Sequence, residues 1–138
     1  MFEYKTQIYL HHTDAAGRFF FANQFHLIGE AKEKFLEELG LPIGDILDHP
    51  NVSFPFVHVE ADYKAVLKVG DKIKIQVEIE KIGETSVIFA FKIFKNDGTL
   101  AGTARTVSVG MDKATLQKIG IPDDWRKKLN HKLGSAYK

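Results

Sequence analysis

The chain contains no cysteine. Disulfide staples, thiolate metal ligands and a cysteine nucleophile are excluded together, and a reducing compartment, the cytoplasm, is the expected location. An excess of one charge is also missing: 19 Lys and Arg meet 18 Asp and Glu, for a formal charge of +1. Such a balance leaves no electrostatic footprint for nucleic acid or an anionic membrane, so any polyanionic partner is met locally. No apolar run approaches the roughly 18 residues that span a bilayer. The first ten residues, MFEYKTQIYL, alternate polar and apolar instead of forming a signal-peptide core. The six histidines contain no H-E-x-x-H set, and His11 and His12 as strand neighbours would point to opposite faces, so no metal is expected. Ser53, Ser86 and Ser108 lie in no G-x-S-x-G elbow, which disfavours a serine hydrolase.

What is present is one domain's worth of core. A chain of 138 residues, 44% hydrophobic and 12% aromatic, is expected to fold as a single domain, 1–138. Residues 4–11 read as a strand. From Ala22 to Leu39, Phe25, Ile28, Ala31, Phe35 and Leu39 recur at steps of three and four, with Glu30, Lys32, Glu33, Lys34, Glu37 and Glu38 mostly on the other faces, and Gly40 stops the helix. Gly29 sits mid-helix at a cost of about 1 kcal/mol relative to alanine, which raises a close approach by backbone or ligand beside the plainer reading of a tolerated defect. Residues 41–48 make a further short helical turn.

Three segments then alternate with period two: Val57, Val59, Ala61 and Tyr63; Ile73, Ile75, Val77 and Ile79; Val87, Phe89, Phe91 and Ile93. KVGD and KIGET separate them, NDG at 96–98 signals a hairpin, and a last strand over about 99–111 has Gly102 and Ala104 where close packing or a bulge is expected. The sheet is expected to be a meander. Its polar face would set His58, Glu60 and Asp62 against Lys72, Lys74, Gln76, Glu78 and Glu80. Short helical segments around ATLQKIG and PDDWRKKLNHKL and a frayed polar end complete the tail. A single long helix buries its stripe only by lying across such a sheet, so the class is α+β.

HHTDAAGRFFFAN, residues 11–23, carries the chemistry. A loop through Ala15, Ala16 and Gly17 can fold the Asp14 carboxylate back beside the helix start, whose unpaired N–H groups and positive dipole end can hold a developing oxyanion. Gly17 permits the turn, and Phe19, Phe20 and Phe21 can exclude water. The competing reading is a solvated Asp-Ala-Ala-Gly turn.

TDAAGRFFFAN resembles the signature of the hotdog-fold acyl-CoA thioesterases of the 4-hydroxybenzoyl-CoA thioesterase type: T-D-x-x-G, four variable positions, then A-N or P-N. FPFVHVEADYKAVLKVGDKI and AGTARTVSVGMD resemble that family's second and last strands, so the likeness covers about residues 4–111. The resemblance implies a hotdog fold, a five-stranded antiparallel sheet wrapped around one long helix, with a short C-terminal helical tail. It also implies dimers joined sheet edge to sheet edge, commonly tetramers, with the active site at the dimer interface. By this likeness Asp14 is the catalytic carboxylate, as nucleophile or general base, and the backbone N–H of Phe21 polarises the thioester carbonyl. Asn23 matches an asparagine at the helix start, where an N-cap or first-turn role is the plainer one.

Relatives often carry His or Tyr at Phe21, Glu at Gly29 and Pro at Val66, so those side-chain roles are not transferred. Within the group, FFFANQF, FPFVHVEADY with its His58, and IPDDW most resemble the 1,4-dihydroxy-2-naphthoyl-CoA hydrolases of quinone synthesis. Arg18, Phe19, Phe20 and His58 are candidates to contact the acyl group, and phenylalanines suit a flat aromatic one. Lys64, Lys68 and Arg105 are candidates for the phosphates of coenzyme A, although a sheet interior is a poor place for Arg105 unless a bulge turns it outward. The expected activity is acyl-CoA thioester hydrolysis by a homo-oligomer, with no cofactor beyond the coenzyme A of the substrate. The rival reading is a non-catalytic hotdog module that binds acyl-CoA or acyl carrier protein.

Overall fold

The computed structural model describes residues 1–14 and 23–135, with side chains up to residue 130. Gly17, Arg18, Phe19, Phe20 and Phe21, all singled out above, lie outside the described residues.

β1 (Phe2–Gln7) leads through a 3-10 turn (Leu10–His12) to α1 (Asn23–Glu38) and the short α2 (Ile43–Leu47). The sheet strands β3 (Phe56–Tyr63), β4 (Lys72–Ile82), β5 (Ser86–Lys95) and β6 (Leu100–Val109) follow. β2 (Val52–Ser53) and β7 (Met111–Asp112) pair separately, and α3 (Asp123–Ser135) ends the chain. The main sheet is antiparallel in the order β1-β4-β5-β6-β3. Only β4-β5-β6 is a meander. β3 joins the far edge beside β6, with β5 and β6 between it and β4, so the expected pairing of the β3 carboxylates with the β4 lysines does not occur.

Period-two patterning puts Ile73, Ile75, Val77, Val87, Phe89, Phe91 and Ile93 on one buried face. α1 lies against it: Phe35 packs between Phe2 and Phe89 at ring-centroid distances of 5.4 and 6.3 Å. The helix closes on Gly40 at φ +86°, with Leu41 N–H donating to Leu36 O at 2.8 Å and Gly40 N–H to Glu37 O at 3.0 Å. This is the left-handed C-terminal motif that glycine favours. The buried stripe is wider than expected. It contains Gln24, Leu27 and Lys32, while Phe25 is left 39% exposed.

Gly102 in β6 is a site of close packing, as expected: a Cβ there would meet Asp62 O at 3.0 Å and Gln24 Nε2 at 3.1 Å. At Gly29 no such approach exists, because a Cβ would meet nothing within 4 Å. The first strand is shorter than the expected 4–11. His12 Nδ1 accepts the Tyr9 N–H at 2.9 Å and Tyr9 O accepts the His12 N–H at 2.9 Å, which turns the chain.

ATLQKIG is not helical. Asp112 Oδ1 accepts the N–H groups of Ala114 and Thr115, both at 2.8 Å, and that local capture competes with a helix. The tail, in turn, is more than a frayed end. Trp125 and Leu129 of α3 are buried, and the indole makes edge contacts with His49 at 5.3 Å and Phe54 at 5.7 Å. Trp125→Ala is expected to cost about 3–5 kcal/mol in urea unfolding followed by circular dichroism; a loss below about 1 kcal/mol would show that α3 lies outside the cooperative core.

Candidate active site

Asp14 follows the 3-10 turn, and the turn is fastened to α1. Asn23, the first helical residue, donates from Nδ2 to His12 O at 2.8 Å. Asp14 is two residues further on, so its backbone lies within roughly 7–8 Å of chain from a group bonded to the helix start. The asparagine is thus a tether rather than a cap on its own helix. Asp14 itself is exposed in the single protomer.

His12 is 2% exposed. With Nδ1 accepting from Tyr9, the ring proton belongs on Nε2, which has no partner among the described residues. Burial, and then the neighbouring His11, push its pKa below the ordinary value, so the imidazole is neutral.

The loop after β3 reaches the same end of the molecule. Gly70 N–H donates to Ile8 O at 2.8 Å, Ile8 N–H donates to Asp71 O at 2.9 Å, and Lys64 N–H donates to Ala101 O at 2.9 Å. Lys64 and Lys68 are exposed on that loop, so the structure brings them toward the end where α1 begins. His58 and Arg105 are not brought there. His58 pairs with Val107 and lies on the sheet face opposite α1, 3.8 Å from Glu60. Arg105 reaches that outer face by regular alternation, without a bulge, and its guanidinium meets Glu80 at 2.6 Å and Glu60 at 3.6 Å. Two carboxylates already match its charge.

A cavity of about 310 Å³ runs between α1 and β3. Phe25, Phe56, Val59 and Phe91 give it apolar walls, Gly29 leaves one side open, and Lys32 and Thr106 are polar. A larger groove of about 740 Å³, flanked by Lys5, Lys72, Lys74 and Lys95, follows the β1–β4 edge. Two of its lysines are engaged, Lys72 with Gln7 at 2.6 Å and Lys74 with Glu3 at 3.4 Å. The smaller cavity is the better candidate on chemistry, since it begins at the first turn of α1.

Lys32 was expected in solvent and is 6% exposed. Its Nζ donates to Ser108 Oγ at 2.8 Å and stands 4.0 Å from the Phe56 ring centroid, 4.7 Å from Phe89 and 5.3 Å from Phe54. The rings favour the ammonium, but burial dominates and pushes its pKa from 10.5 down to about 7. A sequence signal did exist. Ile28, Lys32 and Leu36 are spaced by four, which puts the lysine on the apolar stripe.

The thioesterase-like superfamily profile matches residues 8–129. The chain belongs to the thioesterase-like superfamily. Its activity is therefore thioester hydrolysis. It is 35% identical, over 79% of its own length and 74% of the relative's, to a 1,4-dihydroxy-2-naphthoyl-CoA hydrolase of Prochlorococcus marinus. The crystal structure of a 1,4-dihydroxy-2-naphthoyl-CoA thioesterase from Synechocystis superposes with a TM-score of 0.88 at 25% identity, covering 94% of this chain and 95% of that one. A gentisyl-coenzyme A thioesterase superposes with a TM-score of 0.81 at 28% identity, over 92% and 98% of the two chains. The hotdog fold and the thioesterase family expected from TDAAGRFFFAN are thus both found. Among the described residues no helix is long and apolar enough to cross a membrane.

The unfolded chain holds the Lys32 proton up to about 10.5, whereas the folded chain releases it from about 7. Across that window the unfolded state binds more protons, so folding gains stability as pH rises. Lys32→Met is expected to be more stable than wild type, by about 2–3 kcal/mol more at pH 6 than at pH 9 in urea unfolding; a pH-independent difference would contradict the buried, depressed lysine.

Proposed function

We propose that this chain hydrolyses an aromatic acyl-coenzyme A, with 1,4-dihydroxy-2-naphthoyl as the acyl group, to the free acid and coenzyme A. The observation that carries the reading is the phenylalanine-walled cavity that starts at the first turn of α1, at the end of the helix to which Asn23 ties the Asp14 segment. The names of the two naphthoyl-CoA relatives agree with it.

In this mechanism the thioester carbonyl points at the helix start, where the Phe21 N–H and the helix dipole take up the developing oxyanion. Asp14 attacks the carbonyl carbon or removes a proton from the attacking water, and the thiolate of coenzyme A departs and is protonated. Lys64 and Lys68 face the phosphates of coenzyme A. No metal or bound cofactor takes part.

The acting form is a homo-oligomer, a dimer or a tetramer of dimeric units, in the cytoplasm. β3 supports this: it is an eight-residue edge strand whose Phe56, Val59 and Tyr63 are 51%, 38% and 47% exposed. A sheet-edge strand of that length with exposed apolar side chains is a template for pairing with a second copy.

Asp14→Asn is expected to lower kcat for 1,4-dihydroxy-2-naphthoyl-CoA by about 100-fold or more while binding is kept, read by thiol release and by calorimetry. A variant as fast as wild type removes the carboxylate from the mechanism. A wild type that binds acyl-CoA and hydrolyses no acyl-CoA replaces the enzyme reading with a binding module.

A further inference from the structure

Hydrogen bonds converge on His12. Its Nδ1 accepts the Tyr9 N–H at 2.9 Å, its own N–H donates to Tyr9 O at 2.9 Å, and its carbonyl accepts from Asn23 Nδ2 at 2.8 Å. The Tyr9 bonds close a ring across the 3-10 turn, and the Asn23 bond fastens that ring to the first residue of α1. Thr13 is held as well, since its N–H and its Oγ1 both donate to Leu10 O, at 3.0 and 2.7 Å. Asp14 is the next residue, so the backbone that carries its carboxylate leaves from a pinned turn. Such a turn needs only a side-chain acceptor facing the Tyr9 N–H, which Asn, Asp, Ser or Thr supplies in most loops. A histidine in that place brings an acceptor that titrates.

We propose that His12 is a positioning residue for thioester hydrolysis: its neutral Nδ1 holds the turn that presents Asp14 to the start of α1, and protonation of the ring releases that turn. The inference rests on the reading above, in which Asp14 is the reacting carboxylate, and adds the residue that acts through it.

Neutral imidazole offers an acceptor nitrogen, whereas imidazolium is a donor at both nitrogens and accepts at neither. A proton on Nδ1 would meet the Tyr9 N–H at 2.9 Å, donor against donor, and turn an attraction into a repulsion. The side chain is 2% exposed, so water reaches the orphaned N–H only if the turn opens. The rings of His11 and Tyr9 cover it at centroid distances of 4.1 and 5.9 Å. The charges acting on it are those of His11 in the same turn and of His26 and Glu30 on α1. Burial, the largest influence, and the two histidines favour the neutral ring while Glu30 opposes them, which sets the folded pKa below the ordinary 6.5. The turn is therefore intact at neutral pH and is lost as pH falls through that lowered value.

The test compares purified wild type with His12→Asn and His12→Leu. It reads kcat and KM for 1,4-dihydroxy-2-naphthoyl-CoA from about pH 5 to about pH 9, with backbone amide NMR over the same range. Asparagine puts an oxygen where Nδ1 stands and does not titrate, and leucine fills the space without an acceptor. His12→Leu is expected to lower kcat by about 10–100-fold at neutral pH with KM little changed. His12→Asn is expected to recover most of that loss and to keep its activity to lower pH than wild type. In wild type the amide signals of Tyr9 and Asp14 are expected to shift together with the charging of the His12 ring, and in His12→Asn that shift is absent. A His12→Leu enzyme as fast as wild type overturns the proposal, and so does an acid limb that is the same in wild type and His12→Asn. If His12→Leu does not fold, the acid limb and the amide signals of the other two proteins decide. If wild type hydrolyses no acyl-CoA, the function reading fails separately, and Tyr9 and Asp14 amides that do not follow the His12 ring then overturn the positioning role by themselves.

Discussion

The packing of α1 across the sheet is the contact on which the other features depend. Leu27, Ile28, Ala31, Phe35, Leu36 and Leu39 are buried against Ile75, Val77, Phe89 and Phe91, at about 1.5–3 kcal/mol for each large side chain removed from water. That contact positions the candidate site. It holds the first turn of α1, with Asn23 reaching His12 O, next to the segment that ends in Asp14. Nine residues along from Asn23, it buries Lys32 to 6% exposure. Gly102 sets the depth of the seat, since Gln24 fits where any Cβ would lie and donates to Thr103 O at 3.1 Å.

The lysine shows what the fold gives up. A buried ammonium without a carboxylate partner is a liability for stability, and three phenylalanine rings with one serine hydroxyl offset it only in part. Thr106, one inward step along β6, carries a second unmet group. Apolar residues would serve the core better at both positions. Both side chains line the same cavity beside α1.

Much of this was legible in the chain itself, where local chemistry and tertiary structure agree. Gly40 stops the helix through the left-handed motif it favours, and NDG closes the hairpin with Gly98 at φ +89°. TDAAGRFFFAN and the order of elements pointed to the family. Pairing partners were not legible, because alternation gives a strand its faces but not its neighbours, and so β3 was set beside β4 rather than β6. The ATLQKIG stretch has a helical pattern but no helix, because one side chain, Asp112, captures the N–H groups that would start it. The charge of Lys32 points to solvent, whereas its spacing of four from Ile28 and Leu36 places it on the buried stripe. The bulge expected to turn Arg105 outward is not needed, because alternation with Ala104 and Thr106 already points it to Glu60 and Glu80.

The central claim is that the Asp14 carboxylate and the N-terminal turn of α1 face the same carbonyl. A crystal structure with a non-hydrolysable thioether or ketone analogue of naphthoyl-CoA tests it most directly. The account predicts the analogue's acyl oxygen, or the ring atom in its place, about 3 Å from a backbone N–H at the helix start. It also predicts a carboxylate oxygen of Asp14 within about 3–3.5 Å of the reacting carbon position. An analogue bound with its acyl group elsewhere, or with Asp14 turned to bulk solvent in every subunit, would contradict it.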